Sequence, residues 1–352
     1  MIDGRRPSPR SAPDDMRGRG AGLPALASVR ILSDGRAGHE AQALGIAAAL
    51  GLHAEVRRIA PRPFYAFFAP FGPPDPRDVS VVAPPWPDIV IAAGRRTIPY
   101  LRKLRRLSGR RVFTVYLNRP ATGPGTADVI VAPRHDGFFA ANVVAPITPA
   151  NRLTPQLLAH LRRAGDPRLA DLPRPRVALL VGGDSRHFRY SRASAAALAE
   201  LAAGLVAQGA GVMATLSRRT PVRVAVALHA ALEGAPAFLW DGSGDGDNPY
   251  PAMLAEADHI IVTADSVNMV GEAVATGAPV QVFAPSGGSR KIAAYLEALE
   301  KHGAVRPWSG ALENWSYPPL NSTPMIADAI TTAYARFRRT GGRGMSLRRS
   351  QE

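Results

Sequence analysis

The feature that most constrains this chain is an alternation of short β-branched runs with Ala/Leu-rich stretches, carried through twice. In the first series "VRILSD" (29–34) reads as a strand. "GRAGHEAQALGIAAALG" (35–51) follows as a Gly-rich turn, an apolar-periodic helix and a Gly stop, and "AEVRRI" (54–59) is a second candidate strand. Residues 60–87, rich in Pro and aromatics, read as a long loop with some helix. "PDIVIAAG" (87–94) is a buried strand leading into an Arg-rich helix, and "RVFTVYLN" (111–118) and "ADVIVAP" (127–133) complete a first sheet. The prolines and charges of "AGDPRLADLPRPR" (164–176) mark a linker.

The second series runs "VALLVGG", "RASAAALAELAAGLVAQG", "GVMATLS", "PVRVAVALHAAL", "APAFLWDG" and "PYPAMLAEAD" as strand and helix in turn. It continues with "HIIVTADSVNMVGEAVATGAPVQVF" (259–283), the helix "KIAAYLEALEKHGA" and a closing helix over 324–340. Strands alternating with helices give a parallel sheet covered on both faces. The fold class predicted is α/β, with two doubly wound Rossmann-like domains facing a cleft. The domains span residues 29–163 and 177–323, between a disordered tail (1–28) and a basic tail (341–352). In such sheets ligands bind beyond the carboxyl ends of the strands, and every polar motif of this chain falls there.

Composition removes several function classes. No apolar run approaches the ~20 residues of a membrane span. The first residues carry arginines without an apolar core, so no secretory signal is read there. The absence of cysteine excludes disulfides and thiolate chemistry and fits a reducing compartment, so the expectation is a cytoplasmic protein, with peripheral attachment to the inner membrane as an option. The formal charge of +15 is unevenly spread. Five Arg against three Asp in 1–28 and six Arg against one Glu in 336–352 supply +7 of it. The cluster "RRTIPYLRKLRRLSGRR" (95–111) reads as a basic helix face, solvated or seated on anionic lipid or phosphate. It lacks the interleaved aromatics of single-strand binders, so nucleic acid is not expected as a partner.

Four stretches carry chemistry. In "SDGRAGHEAQ" (33–42), Gly35 and Gly38 let the backbone turn and approach a ligand. His39 is a candidate general base, with Asp34 and Glu40 as carboxylates able to orient it. The bland alternative is that His39 packs at the helix start. The stretch is neither a dinucleotide fingerprint nor a P-loop. Gly94 and Arg95, where the strand 87–94 ends, are further candidate substrate-binding residues. In "LLVGGDSRHFRYS" (179–191), Gly183, Asp184 and Ser185 follow a strand where phosphate oxygens could be met, although Asp184 is equally a turn residue. "TLSRRTP" (215–221) places Arg218, Arg219 and Thr220 at a strand end, with guanidinium groups suited to a diphosphate.

In the fourth stretch the loop holding Asp265, Ser266 and Asn268 opens a helix whose first amides have no partners of their own. Ser266 is placed to cap that helix or to meet a phosphate. Glu272, one turn further in, is placed for ribose hydroxyls; dipole compensation and capping are the plainer alternatives.

Together with "PDIVIAAGRRTIPYLRKLR" and the terminal "HGAVRPW", these blocks resemble the mitochondrial fission Elongated Mitochondria (ELM) family, as a bacterial-type member, over about residues 29–335. The plant members of that family are peripheral outer-membrane factors that recruit a dynamin-related GTPase. More distantly the blocks resemble GT-B glycosyltransferases of the MurG type and UDP-sugar 2-epimerases. That resemblance implies an acceptor loop at Gly35, Gly38 and His39 and a nucleotide-sugar helix at Ser266 and Glu272. Here the loop is "DGRAGHE" rather than a run of glycines. The function implied is a metal-independent glycosyltransferase with a nucleoside-diphosphate sugar as substrate, no further cofactor, and an envelope or lipid-linked acceptor. The alternatives are a non-catalytic adaptor recruiting partners at an anionic membrane surface through 95–111 and the Arg-rich tail, and a 2-epimerase-like enzyme.

Overall fold

The computed structural model describes residues 27–243 and 246–341. The two expected tails therefore lie outside the described residues, apart from 27, 28 and 341. The first sheet contains β1 (Val29–Ser33), β2 (Ala54–Arg58), β3 (Ile89–Ala93), β4 (Phe113–Leu117), β5 (Val129–Val131) and β6 (Val143–Val144), in the order β2-β1-β3-β4-β5-β6. The second contains β7 (Arg176–Val181), β8 (Gly211–Leu216), β9 (Ala237–Trp240), β10 (His259–Thr263), β11 (Val280–Phe283) and β12 (Val305–Pro307), in the order β12-β11-β10-β7-β8-β9. Every neighbouring pair is parallel.

The central strands β1, β3, β4 and β10 are buried along their whole length, because helices cover both faces of each sheet. In the first domain the helices are α1 (Ala37–Ala49), α2 (Pro63–Phe68) and α3 (Ile98–Leu107). The second domain carries α4 (Pro155–Ala164), α5 (Arg192–Ala207), α6 (Val222–Leu232), α7 (Tyr250–Glu256), α8 (Val267–Val274) and α9 (Arg290–Lys301). The last helix, α10 (Thr323–Arg339), returns to the first domain. Its buried Ile326, Ile330, Tyr334 and Phe337 recur at helical spacing, and the two rings meet Phe113 of β4 edge-on at 5.4 and 5.3 Å.

The division of the chain differs from the sequence reading at α4. The sequence reading ends the first domain at residue 163, yet the buried Leu158 of α4 joins Leu169, Ala178 and Met253 in the second core, and Arg162 donates to the Ala255 carbonyl at 2.6 Å. The first crossing between domains is accordingly the segment 145–154, and the second is 319–322. The two crossings lie side by side. Thr148 Oγ1 and Ser322 Oγ are 2.9 Å apart, and the Asn151 amide donates to Thr323 Oγ1 at 2.9 Å. Two short strands, β6 and β12, have no counterpart in the sequence reading.

Each sheet reverses its winding direction once, between β1 and β3 in the first and between β7 and β10 in the second. At such a switch point the loops leaving two adjacent strands part to opposite faces and open a crevice. The residues that follow these four strands are Asp34, Gly94, Gly182 with Gly183, and Ala264 with Asp265.

Candidate functional site

At the first switch point, Asp34 leaves β1 and its Oδ1 lies 2.9 Å from His39 Nδ1 in the first turn of α1. The backbone folds back through Gly35, whose φ of +79° is a left-handed conformation that a side chain would strain. Gly94, after β3, leaves room for the pair. A Cβ there would sit 2.3 Å from Asp34 Oδ2 and 3.1 Å from His39 Nδ1, and its φ is +91°. Asp34 is nearly inaccessible, whereas the imidazole keeps a fifth of its surface. Burial would raise Asp34, but the hydrogen bond and charge of His39, helped by the Arg36 amide, outweigh it and hold the carboxyl below its ordinary value. With Nδ1 committed to the carboxylate, Nε2 is the ring nitrogen left without a partner among the described residues.

Glu40 does not share this role. Its Oε1 accepts from Ser33 Oγ at 2.7 Å and from Arg58 Nε at 2.7 Å, and Oε2 accepts from Arg58 Nη2 at 2.9 Å. The Arg58 guanidinium, more than burial, sets its titration, and the carboxyl is held below the usual range. The expectation of a catalytic Glu40 is corrected on this ground: it braces the end of β2 against β1, and Asp34 alone orients His39. Arg95 is likewise engaged, donating to the Ala69 carbonyl at 2.6 Å.

At the second switch point the geometry is tighter. The Gly183 amide donates to Asp265 Oδ2 at 2.8 Å and the Tyr190 hydroxyl to Asp265 Oδ1 at 2.6 Å. The Gly182 amide donates to Thr263 Oγ1 at 2.8 Å. Asp265 is fully enclosed, and a Cβ on Gly182 would lie 2.1 Å from its carboxylate. A Cβ on Gly183 would lie 2.2 Å from the Arg219 carbonyl, so the two loops are interlocked backbone on backbone. Asp184 accepts from the Tyr190 amide at 2.8 Å, Ser185 Oγ from the His187 and Phe188 amides at 3.1 Å each, and the Thr220 hydroxyl donates to the Gly182 carbonyl. Asp184, Ser185, Thr220 and Asp265, expected as ligand-binding groups, are therefore engaged in building the loops. Arg219 stays half-exposed, with a long 3.9 Å approach to Asp265.

Three groups of this half remain unengaged or only lightly held. Ser266 occupies the N-cap position of α8 but its hydroxyl makes no capping bond, and the amides of Val267, Asn268 and Met269 find no acceptor among the described residues. Arg218 is exposed, and its charge reaches Glu40 of the other domain. Glu272, half-buried one turn into α8, accepts from the Tyr250 hydroxyl at 2.7 Å. Burial pushes its carboxyl up to about 7 despite that bond.

The two switch points face each other through α1 and α8. A Cβ on Gly38 would lie 2.2 Å from Asn268 Nδ2, and Gln42 Nε2 donates to Asn268 Oδ1 at 2.8 Å. Asn268, expected to bind ligand, is here the bridge between domains. A second bridge joins Lys291 Nζ of α9 to Asp136 Oδ1 at 2.8 Å, with the His135 and Tyr295 rings 5.1 Å apart beside it. Tyr190, Tyr250, Gln42 and Arg58 escaped the sequence reading, since each is recruited by a partner 18 to 226 positions away.

A profile described as mitochondrial fission ELM1 matches residues 37–334, most of the chain. The chain belongs to the mitochondrial fission ELM1 family. One member, mitochondrial fission protein ELM1 of Arabidopsis thaliana, is 34% identical over 289 residues, covering 74% of this chain and 66% of the plant protein. This chain thus spans just under two thirds of that longer relative. An uncharacterized protein of Rickettsia prowazekii is 26% identical over 284 residues, covering 70% of this chain and 80% of its own length. Among solved structures, a candidate UDP-N-acetylglucosamine 2-epimerase of Listeria monocytogenes superimposes with a TM-score of 0.51 at 13% identity, over 91% of this chain and 98% of that one. This family member therefore has a GT-B-like architecture of two parallel six-stranded domains. No helix among the described residues is long and apolar enough to cross a membrane.

Proposed function

We propose that the protein is a metal-independent glycosyltransferase that uses a nucleoside-diphosphate sugar. The observation that carries the reading is the meeting of an oriented imidazole with an uncapped helix start: His39 on Asp34, three residues from the Gln42–Asn268 bridge to α8. In this reading the diphosphate lies at the start of α8, where the amides of 267–269, the Ser266 hydroxyl and Arg218 offset its charge. Glu272 takes the ribose hydroxyls once Tyr250 yields.

The acceptor hydroxyl gives its proton to His39 Nε2 as its oxygen bonds the anomeric carbon. The bond from that carbon to the diphosphate oxygen breaks, and the diphosphate keeps the electron pair. Asp34 stabilises the imidazolium that results. An envelope or lipid-linked glycan is the acceptor class that suits a cationic protein working beside anionic lipid. Thermal unfolding with uridine and guanosine diphosphate sugars tests the reading. The expected result is a rise in melting temperature with at least one of them, and no rise with any would overturn it.

Family membership favours a second reading, an adaptor that keeps the cleft but recruits partners at a membrane surface. Its working surface on the folded body would be Arg96, Arg106, Arg110 and Arg111, which stay exposed around α3, whereas Arg102 and Arg105 are tied to backbone carbonyls. Turnover on a soluble acceptor analogue separates the two readings.

A further inference from the structure

The segment "PFYAFFAPFG" (63–72) sets four phenylalanines on the surface: Phe64 is 64% exposed, Phe67 75%, Phe68 47% and Phe71 69%. Scattered exposed apolar residues need no explanation, but four large rings within eight positions do. The rings touch one another. Phe64 and Phe68 centroids are 4.9 Å apart, and Phe67 and Phe68 are 5.3 Å apart, both edge-on. Phe64, Phe67 and Phe68 therefore form one patch, and Phe71 is tied to it through its amide, which donates to the Phe68 carbonyl at 3.0 Å.

Its backbone is fixed from below. Arg62 grips the buried Asp75 with two hydrogen bonds of 2.9 Å. Arg95 holds the Ala69 carbonyl, and Arg102 Nη2 holds the carbonyls of Phe71 at 3.0 Å and Gly72 at 2.6 Å. The buried Arg30 of β1 pins the end of the loop through the carbonyls of Ala83 and Pro85. The charges are sorted as well. Arg95 and Arg102 are exposed beside the rings and bond only backbone carbonyls, Arg62 is compensated by the buried Asp75, and Asp78 turns onto the Tyr100 hydroxyl and the Ala60 amide. Apolar rings inside a fringe of guanidinium groups complement one surface chemistry, acyl chains below a layer of anionic headgroups.

We propose that α2 and the turn to Gly72 form a preformed docking platform for an anionic lipid bilayer, with Phe64, Phe67 and Phe71 entering the headgroup–acyl boundary. The proposal extends the membrane-surface part of the reading above and is independent of transferase turnover. It also fixes an orientation. α2 follows β2, whose last residue Arg58 clamps Glu40, and Arg95 joins Ala69 of the platform to Gly94 at the Asp34–His39 pair. Docking would turn the first switch point towards the lipid, where a lipid-linked acceptor is within reach.

The test is co-sedimentation of the full chain with vesicles of phosphatidylcholine alone or with about one third phosphatidylglycerol. It compares the native chain with a Phe64→Ser/Phe67→Ser/Phe71→Ser variant and with a variant lacking residues 342–352. The native chain should bind the anionic vesicles at least about tenfold more tightly than the neutral ones. The triple variant should lose about tenfold or more of that binding without a change in melting temperature, since the rings lie outside the core. A Phe67→Trp variant should show blue-shifted emission and quenching by brominated acyl chains.

Full binding by the triple variant, with loss only on removal of 342–352, would overturn the platform while leaving membrane association standing. Failure of the native chain to bind any vesicle would overturn both. If the native chain is a dimer that the triple variant breaks, without vesicle binding, the rings face a second copy and the proposal is wrong. In each of these cases the nucleotide-sugar melting test still reads the transferase reading separately.

Discussion

The two switch points place a glycine against a carboxylate in the same way, and then use the carboxylate differently. Gly94 makes room for Asp34, and Gly182 makes room for Asp265. Asp265 is enclosed and spends both oxygens on an amide and a phenol that close the loops of its own domain. Asp34 spends an oxygen on an imidazole that still reaches solvent. A carboxylate whose partners are all buried donors holds structure. One whose partner is a partly exposed titratable ring can move a proton. Topology therefore fixes where a crevice opens, and the neighbour of the acid decides what it can do there.

Substitutions should separate the two along different axes. The largest effect expected is on stability at the second point: Asp265→Ala strands the Gly183 amide and Tyr190 hydroxyl and should cost about 3–5 kcal/mol by chemical denaturation. Asp34→Ala should cost far less; equal losses would break the contrast. His39→Ala should lower transfer by about 10²–10⁴ while the melting temperature holds, read by product formation with the sugar nucleotide that passes the melting test. Arg218→Ala, with no bond to lose among the described residues, should weaken nucleoside-diphosphate binding about tenfold by titration calorimetry and leave unfolding unchanged.

The smallest effect is a pH trend at Glu272. Its folded value of about 7 lies above the ordinary 4.5, so between these the folded state keeps a proton that the unfolded chain releases. Stability from this group is thus lost as pH rises through that window. Glu272→Gln should match the native melting temperature near pH 5 and exceed it by a few degrees near pH 8.

Much of this contrast was not visible in the sequence, for identifiable reasons. The strands "IVIAA" and "HIIVT" are legible because sheets covered on both faces demand unbroken apolar runs. His39 and Ser266 are legible because they stand at predictable strand-to-helix turns. Asp34 and Glu40 flank His39 alike in sequence, and only Arg58, arriving on the neighbouring strand, removes Glu40 from contention. Asp184 and Asp265 look like ligand-facing acids until Tyr190 folds over them with its amide and its hydroxyl. Which core receives Leu158 of α4 depends on where the chain crosses between domains, and no local pattern encodes that.

Because α10 closes the face of Phe113 after the chain has passed through the whole of the second core, the first lobe is discontinuous and the second is an insertion within it. Shortening the chain at its carboxyl end would therefore strip the lobe that begins at the amino end. Residues 153–320 form the piece of this molecule best suited to excision or circular permutation, since a single contiguous segment supplies nearly all of its interior.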